Sequence, residues 1–514
     1  MQLQVFTPFR RLTGFQPLWR APFQLRCAGW LFPCASGARY PPRAGRDGGR
    51  RLCRARHAGG VLSMALSGWS RAILLSLLAL VLLFFAALRL AGIPLRGVDD
   101  ALPVATGLAA KLACSAMHLS GFDEAQVRRD IGRFSPVLDH VALSYPDSKQ
   151  VRAELFGVSA TARFYPGLGC TLQHAQMFPL ESIEVPAVPA PAAALPLADA
   201  TPMQALVEAQ LAADRDAGLD TRALLVVRAG KVLGEAYAPG IDAQTALLGW
   251  SMGKSVTAMM AGRLEALGLL TPGETDLFSA WSGDERAAIT LEQMLQMSSG
   301  LDFSEPYVPG NDSTRMLFTA PSASAVAMAS PLAFPPGSHF AYSSGTTNLL
   351  CRLVSERLTG GPQALVDFFQ REVVAPLGLQ NTTLELDPSG VFVGSSYIYA
   401  SARDWARLAQ PLLRDGRVGD AQWLPAGWVA RATAPNPSDN EPRYGYQFWL
   451  NGTQGELRWP ALPVDTFAMS GHNGQEVVIV PSRDTVLVRL GWTQGTYPME
   501  ARFADLLAAL PPAD

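Results

Sequence analysis

Neither sign of charge dominates this 514-residue chain: 42 Lys and Arg stand against 44 Asp and Glu, a formal net charge of -2. It lacks the basic surplus with which nucleic-acid binders meet phosphates, so nucleic acid is not expected as a partner and a neutral or small polar substrate fits better. Histidine is scarce. His57, His118, His140, His174, His339 and His472 form no H-E-x-x-H or H-x-H pattern and stand beside no cysteine pair at ligand spacing. No metal and no cofactor are expected. Acidic residues are missing before Asp47, in a stretch rich in Arg, Pro and Gly without a sustained apolar period. Residues 1–63 are therefore read as disordered or outside the true product. Cysteine is sparse too, and only Cys114, Cys170 and Cys351 lie beyond the one long hydrophobic run.

That run is the clearest feature near the N-terminus. From Met64 the chain reads MALSGWSRAILLSLLALVLLFFAALRLAG, and between Arg71 and Arg89 every residue but Ser76 is strongly apolar or Ala. Residues 64–92 are read as a transmembrane anchor or a signal peptide, with Met64 the better start. Arginines concentrated before the run keep the N-terminus inside, which predicts a periplasmic domain, tethered at a bacterial inner membrane or free if the segment is cleaved. In an oxidising compartment Cys114 and Cys170 can pair, leaving Cys351 as a buried residue on a helix.

Beyond the run, residues 100–184 read as an N-terminal accessory region, a helix followed by strands such as VRAELFGVSATARFY. Residues 185–202, VPAVPAPAAALPLADATP, have the Pro/Ala content of a linker or wrap. Next come a helix in TPMQALVEAQLAADRDAG and a hairpin in RALLVVRAGKVLGEAYAPG turning at Ala229-Gly230. A mostly helical region follows from Thr290 to Leu379, opening with the capping-box pattern Thr290-Leu291-Glu292-Gln293. GQEVVIVPSRDTVLVRLGW predicts two more strands, and a terminal helix starts near Pro498. Strands at both ends with helices between them predict a sheet assembled from distant pieces.

Two catalytic patterns share one serine. Gly249-Trp250-Ser251-Met252-Gly253 spells the G-x-S-x-G elbow, and Ser251-Met252-Gly253-Lys254 spells S-x-x-K. Apolar residues at helical spacing from Val256 to Leu267 place Ser251 at a helix start with Lys254 one turn on, on the same side. There a lysine kept from water has a lowered pKa and can take the serine proton, while the first N–H groups support an oxyanion. The elbow needs parallel β-α-β alternation and would enlist His472 and an acid such as Asp404, whereas an antiparallel hairpin lies downstream. A plainer alternative makes Ser251 an N-cap and Lys254 a solvated residue, although a cation opposes the dipole there.

The next motif is Ala341-Tyr342-Ser343-Ser344-Gly345, a tyrosine in a Ser/Gly-rich turn before a helix, where a phenol near an ammonium loses its proton more easily. Together with S-x-x-K, MLQMSSGLDF (294–303) and FAMSGHNGQEVVIVP (467–481), it resembles the serine β-lactamase-like family. That family includes class C β-lactamases, penicillin-binding D,D-peptidases, related esterases and 6-aminohexanoate-dimer hydrolase. The resemblance covers residues 203–514 and implies a β-lactamase/transpeptidase-like α+β fold: an antiparallel sheet flanked by helices plus a helical domain, with the site between them. It implies Ser251 as nucleophile, Lys254 as proton acceptor and Tyr342 as proton shuttle, cleaving a small amide or ester through an acyl-enzyme.

Departures from the family pattern narrow the choice. Tyr342-Ser343-Ser344 replaces Y-x-N, so the amide that would hold a β-lactam side chain is missing. K-T-G is absent, its place taken by a segment around Gly471-His472-Asn473-Gly474-Gln475. Ser438-Asp439-Asn440 comes after the tyrosine, in the wrong order for the class A motif. The loop and strand look closest to the 6-aminohexanoate-dimer hydrolase and esterase branch. Oxyanion or substrate contacts are expected from Met469, His472, Asn473, Gly474, Ser344 and Tyr307, the last donating to the amide from the stretch Ser304-Glu305-Pro306-Tyr307. The alternatives are a D,D-peptidase or β-lactamase, and a membrane-tethered binding or sensor protein without turnover.

Overall fold

The computed structural model describes residues 68–90, 98–188, 195–198, 202–453 and 455–510; the expectation for residues 1–63 lies outside them. The described chain divides into two units at the boundary between Phe84 and Phe85. The apolar run forms helix α1 (Gly68–Leu90). Among the described residues no helix is long and apolar enough to cross a membrane, so the spanning segment expected over 64–92 is not supported.

The larger unit starts with α2 (Val98–His118) and α3 (Glu124–Gly132), then an antiparallel meander of β1 (Ala142–Ser144), β2 (Gln150–Leu155), β3 (Val158–Tyr165) and β4 (Gly169–Leu172). In β2 the alternation buries Val151, Ala153 and Leu155 while Arg152 and Glu154 stay exposed, and the buried side joins Leu108, Leu112 and Ala113 of α2. A disulfide joins Cys114 of α2 to Cys170 of β4, Cα atoms 6.0 Å apart. Of the Pro/Ala-rich stretch, Leu197 bridges Val232, so this part runs along a strand edge.

Helix α4 (Pro202–Asp216) precedes the hairpin β5 (Thr221–Arg228) and β6 (Lys231–Tyr237). Ala229 and Gly230 both take positive φ, 47° and 72°, which matches the strand twist in a two-residue turn. Short β7 (Leu247–Leu248) leads into α5 (Met252–Ala266), and the helical region supplies α6 (Leu291–Leu295), α7 (Asp312–Phe318), α8 (Ala323–Met328) and α9 (Ser344–Arg357). Thr290 and Gln293 close the capping box at α6. Strands β8 (Thr382–Leu384) and β9 (Ile398–Ala400) pair with β7 in the order β7-β9-β8. The last strands are β10 (Trp449–Leu450), β11 (Phe467–Gly471), β12 (Gln475–Val480) and β13 (Thr485–Gly491), and α10 (Met499–Ala508) ends the described chain.

The main sheet runs β10-β11-β12-β13-β5-β6, antiparallel throughout, with the last strand paired to the first of its domain, Thr485 opposite Arg228. Met203 and Val207 of α4 and Phe503 of α10 cover one face through Leu224, Val226, Val478 and Leu487. Val256, Met259 and Met260 of α5 cover the other through Leu225, Val227, Val477 and Ile479. This is the expected antiparallel sheet flanked by helices with a helical insertion. Covered on all sides, α5 holds its first residues rigidly.

The N-terminal region is bonded into this unit. Glu385, fully buried, pairs with Lys111 and accepts from Ser115 Oγ (2.8 Å) and Cys170 N (2.6 Å). Its own backbone joins Val393 and Tyr397, so it sits at the root of the excursion that carries Ser395. On the other flank, Asp130 pairs with Arg222 at 2.5 Å and its carbonyl accepts from the indole of Trp492 at 3.0 Å.

Candidate active site

Gly249 donates from its backbone to Ile398, Trp250 follows in the left-handed region (φ 49°), and Ser251 returns to helical geometry as the N-cap of α5. The Ser251 hydroxyl makes no capping bond; it meets Lys254 Nζ at 2.9 Å instead. Lys254 is only 1 % exposed and Ser251 6 %, which rules out a solvated lysine beside a plain cap. Burial pulls the Lys254 ammonium down to about 8, against a smaller upward pull from the Glu305 carboxylate. Its nitrogen also lies 3.0 Å from Ser344 Oγ and 3.1 Å from the Ser395 carbonyl.

Tyr342 stands over this lysine, its ring centroid 4.9 Å from Nζ, and its phenol is hydrogen-bonded to Ser251. Trp449 stacks on its ring at 5.5 Å and Tyr444 meets it edge-on at 6.0 Å. Burial pushes the phenol well above its usual value, with Tyr444 and Glu305 adding to the rise. This reverses the expectation of an easily ionised phenol: desolvation outweighs the nearby amine, and Tyr342 is a proton-bearing group. The stretch before it is pinned by the misplaced S-D-N. Asn440 Oδ1 accepts from Phe340 N (2.8 Å), its amide donates to Phe340 O (2.9 Å), and Asp439 lies 3.0 Å from His339.

Beneath the lysine lies Glu305, 9 % exposed. Its Oε2 accepts from Ser344 N and its Oε1 from Ser344 Oγ, both at 2.7 Å. Burial raises its carboxyl above the ordinary range, opposed by Lys254 and by the two Ser344 bonds. Tyr307 is 37 % exposed, yet its hydroxyl lies 3.3 Å from the buried Ser344 Oγ. Ser344 thus occupies the centre of a polar network joining Lys254, Glu305 and Tyr307.

Strand β11 passes close to the backbone just before Ser251: a Cβ on Gly471 would sit 2.2 Å from the Gly249 carbonyl oxygen, so only glycine fits. Met469 is buried opposite Val477, and Ser470 donates to Glu476 at 2.6 Å. The His472 ring stacks on Phe134 (5.7 Å) and meets Trp250 edge-on (5.6 Å), and burial lowers its pKa to about 4. Asn473 (φ 62°) and Gly474 form a turn whose carbonyls both accept from Arg489 at 2.9 Å. These two residues are held from behind by a fully buried arginine. Asp404, the acid available to an elbow triad, is taken up by the backbone N–H groups of Gln380 (2.9 Å) and Asn381 (2.6 Å). The titratable side chain in contact with the Ser251 hydroxyl is therefore Lys254, and the histidine belongs to an aromatic wall.

Sequence reasoning missed four contributors. The Ser395 carbonyl carries no motif, since any residue type offers one. Trp449 and Arg489 reach their places through strand pairing across the main sheet. Glu305 lay inside the stretch expected to present Tyr307 to the substrate, and a carboxylate between two apolar-leaning runs was the one available signal.

Residues 203–511 match the Beta-lactamase family. A 6-aminohexanoate-dimer hydrolase from Paenarthrobacter ureafaciens is 25 % identical over 323 residues, spanning 57 % of this chain and 79 % of that protein. Among solved structures, a family VIII carboxylesterase is 16 % identical with a TM-score of 0.49, covering 60 % of this chain and 97 % of its own. A penicillin-binding protein homologue from Caulobacter crescentus is 19 % identical with a TM-score of 0.47, covering 61 % and 98 %.

Proposed function

Because the chain belongs to the β-lactamase family of serine hydrolases, we propose that it hydrolyses a small linear amide or ester through an acyl-enzyme on Ser251. The observation that carries this reading is the 2.9 Å contact between the Ser251 hydroxyl and a buried lysine whose pKa falls to about 8. Lys254 takes the proton as Ser251 Oγ bonds the carbonyl carbon. Tyr342, hydrogen-bonded to Ser251 and itself protonated, passes a proton to the departing amine or alkoxide, and Lys254 returns to the free base. The N–H groups of Ser251 and of the strand near Met469 receive the developing oxyanion. Water then attacks the acyl carbon along the same proton path and releases the acid.

The preference for a linear substrate over a penicillin rests on Ser344, which stands where the lactamase branch has its asparagine and is already engaged by Lys254 and Glu305. Export remains part of the proposal. The disulfide between Cys114 and Cys170 suits an oxidising compartment, and the apolar run from Arg71 to Arg89 supplies the export signal. Fluorophosphonate labelling, then a panel of p-nitrophenyl esters, linear amides and nitrocefin, tests the activity. Ester or amide turnover lost in Ser251→Ala supports the reading. Turnover of nitrocefin alone would move the protein to the lactamase branch, and labelling that survives Ser251→Ala would refute the nucleophile.

A further inference from the structure

Lys254 Nζ has three oxygen neighbours, and their donor capacities decide which way its lone pair points. The Ser395 carbonyl can only accept. Ser344 Oγ has one proton, and the 2.7 Å contact to Glu305 Oε1 takes it, so toward Lys254 this hydroxyl can only accept as well. A neutral amine has two N–H groups and one lone pair. With both N–H groups spent on Ser344 and Ser395, the lone pair faces the remaining neighbour, Ser251 Oγ. Were Glu305 absent, the Ser344 hydroxyl could turn and donate to Lys254, engaging the lone pair that the reaction needs.

Glu305 is held for this task. Its Oε2 accepts from the Ser344 backbone N–H, a group that can only donate, so both carboxylate oxygens grip one residue. Around the amine the other titratable groups are phenols: Tyr342 at 4.9 Å from its ring, with Tyr307 and Tyr444 behind it, each kept neutral by burial. Glu305 is the one charged group whose influence reaches Lys254 in this cluster.

We propose that Glu305, acting through the hydroxyl of Ser344, is a positioning residue that aims the Lys254 lone pair at Ser251 and offsets the charge Lys254 acquires. The inference rests on reading Ser251 and Lys254 as nucleophile and base. When the Ser251 proton moves to Lys254, amine plus carboxylate becomes ammonium plus carboxylate, and the third N–H so formed still points at Ser251. The proton then leaves through Tyr342 to the departing group, and the pair returns to its starting charge.

The test is the Glu305→Gln variant of the full chain, read in two ways. Lysine-selective ¹⁵N NMR follows the Lys254 midpoint directly, and it faces only Lys111, Lys149 and Lys231 as other lysine signals. Removing the carboxylate should lower that midpoint by on the order of one pH unit, and the acid limb of kcat/KM for ester hydrolysis should move with it. In the same variant kcat should fall roughly tenfold or more with KM little changed, because orientation rather than substrate binding is lost. A folded Glu305→Gln protein whose Lys254 midpoint stays in place would overturn the inference. The NMR midpoint needs no turnover, so its outcome is separate from failure of the serine-nucleophile reading, which Ser251→Ala reports. If Glu305→Gln does not fold, Ser344→Ala cuts the same link: kcat should drop roughly tenfold, the worth of one charge-assisted hydrogen bond, and a kcat within about twofold of the wild type would overturn it.

Discussion

With Lys254 as the base, the protein should show an acid limb set by a lysine rather than by a histidine. In water an amine of pKa 10.5 is unprotonated in about one molecule in 3,000 at pH 7; at about 8, where burial holds Lys254, the share is about one in eleven. Desolvation therefore raises the reactive population by roughly 300-fold. From pH 7 to pH 9 the free-base share climbs from about one in eleven to about ten in eleven, so kcat/KM should rise about tenfold and then level. Burial keeps the Tyr342 phenol well above 10, so no descending limb is expected below about pH 10. The assay is p-nitrophenyl ester hydrolysis across pH 6 to 10, corrected for the buffer, with kcat/KM chosen because it reports acylation. Lys254→Ala should lie ~10² to 10⁴ below the wild type and lose the limb altogether. An acid limb near 6.5, or a Lys254→Ala enzyme with wild-type turnover, would refute the assignment of the base.

Four further outcomes follow from the same geometry. Tyr342→Phe removes one oxygen from a ring already clamped by Trp449 and Tyr444, so stability in a thermal melt should hold while kcat for an amide falls by ~10² or more, and an unchanged kcat would remove Tyr342 from the proton path. His472→Ala should retain substantial ester turnover with an altered substrate preference, since the ring stacks on Phe134 and Trp250; complete inactivation with an intact fold would revive the histidine-base alternative. Replacing Cys114 and Cys170 by Ser opens a loop with a sequence separation of 56 and should cost about 4 kcal/mol, seen as a lowered Tm and as loss of the linked peptide in non-reducing mapping. Fractionation of cells expressing the chain from Met64 should place the domain in the periplasm or on the outer face of the inner membrane, and purely cytosolic recovery would contradict export.

Much of the scaffold was legible because local chemistry and fold agree where elements are short-range. The turn at Ala229-Gly230 and the capping box at Thr290 depend on residues within a few positions, and both form as read. The same holds for Ser251 and Lys254, since one helical turn fixes their distance whatever surrounds them. Sequence spacing says nothing of solvent, however. The Tyr342 phenol was read as acidic from its amine neighbour, whereas enclosure by Trp449 and Tyr444, more than 100 positions downstream, decides its protonation. Glu305 escaped for a related reason: its role exists only once α9 brings Ser344 over it. Hydrogen bonds that side chains make to groups about 40 to 140 positions away are products of the tertiary fold, and no periodicity announces them.

The bonding of Glu385 bears on how far the catalytic part is a separable module. Family resemblance begins at residue 203, yet the carboxylate at the base of the Ser395 excursion is satisfied by Lys111, Ser115 and Cys170, all upstream of that boundary. Trimming the chain to its recognisable portion would strand a buried carboxylate and slacken the backbone that supplies one of Lys254's acceptors. The inherited fold and the working enzyme thus have different edges, and anyone transplanting this active site into another scaffold has to carry the upstream helix and its disulfide-linked meander along with it.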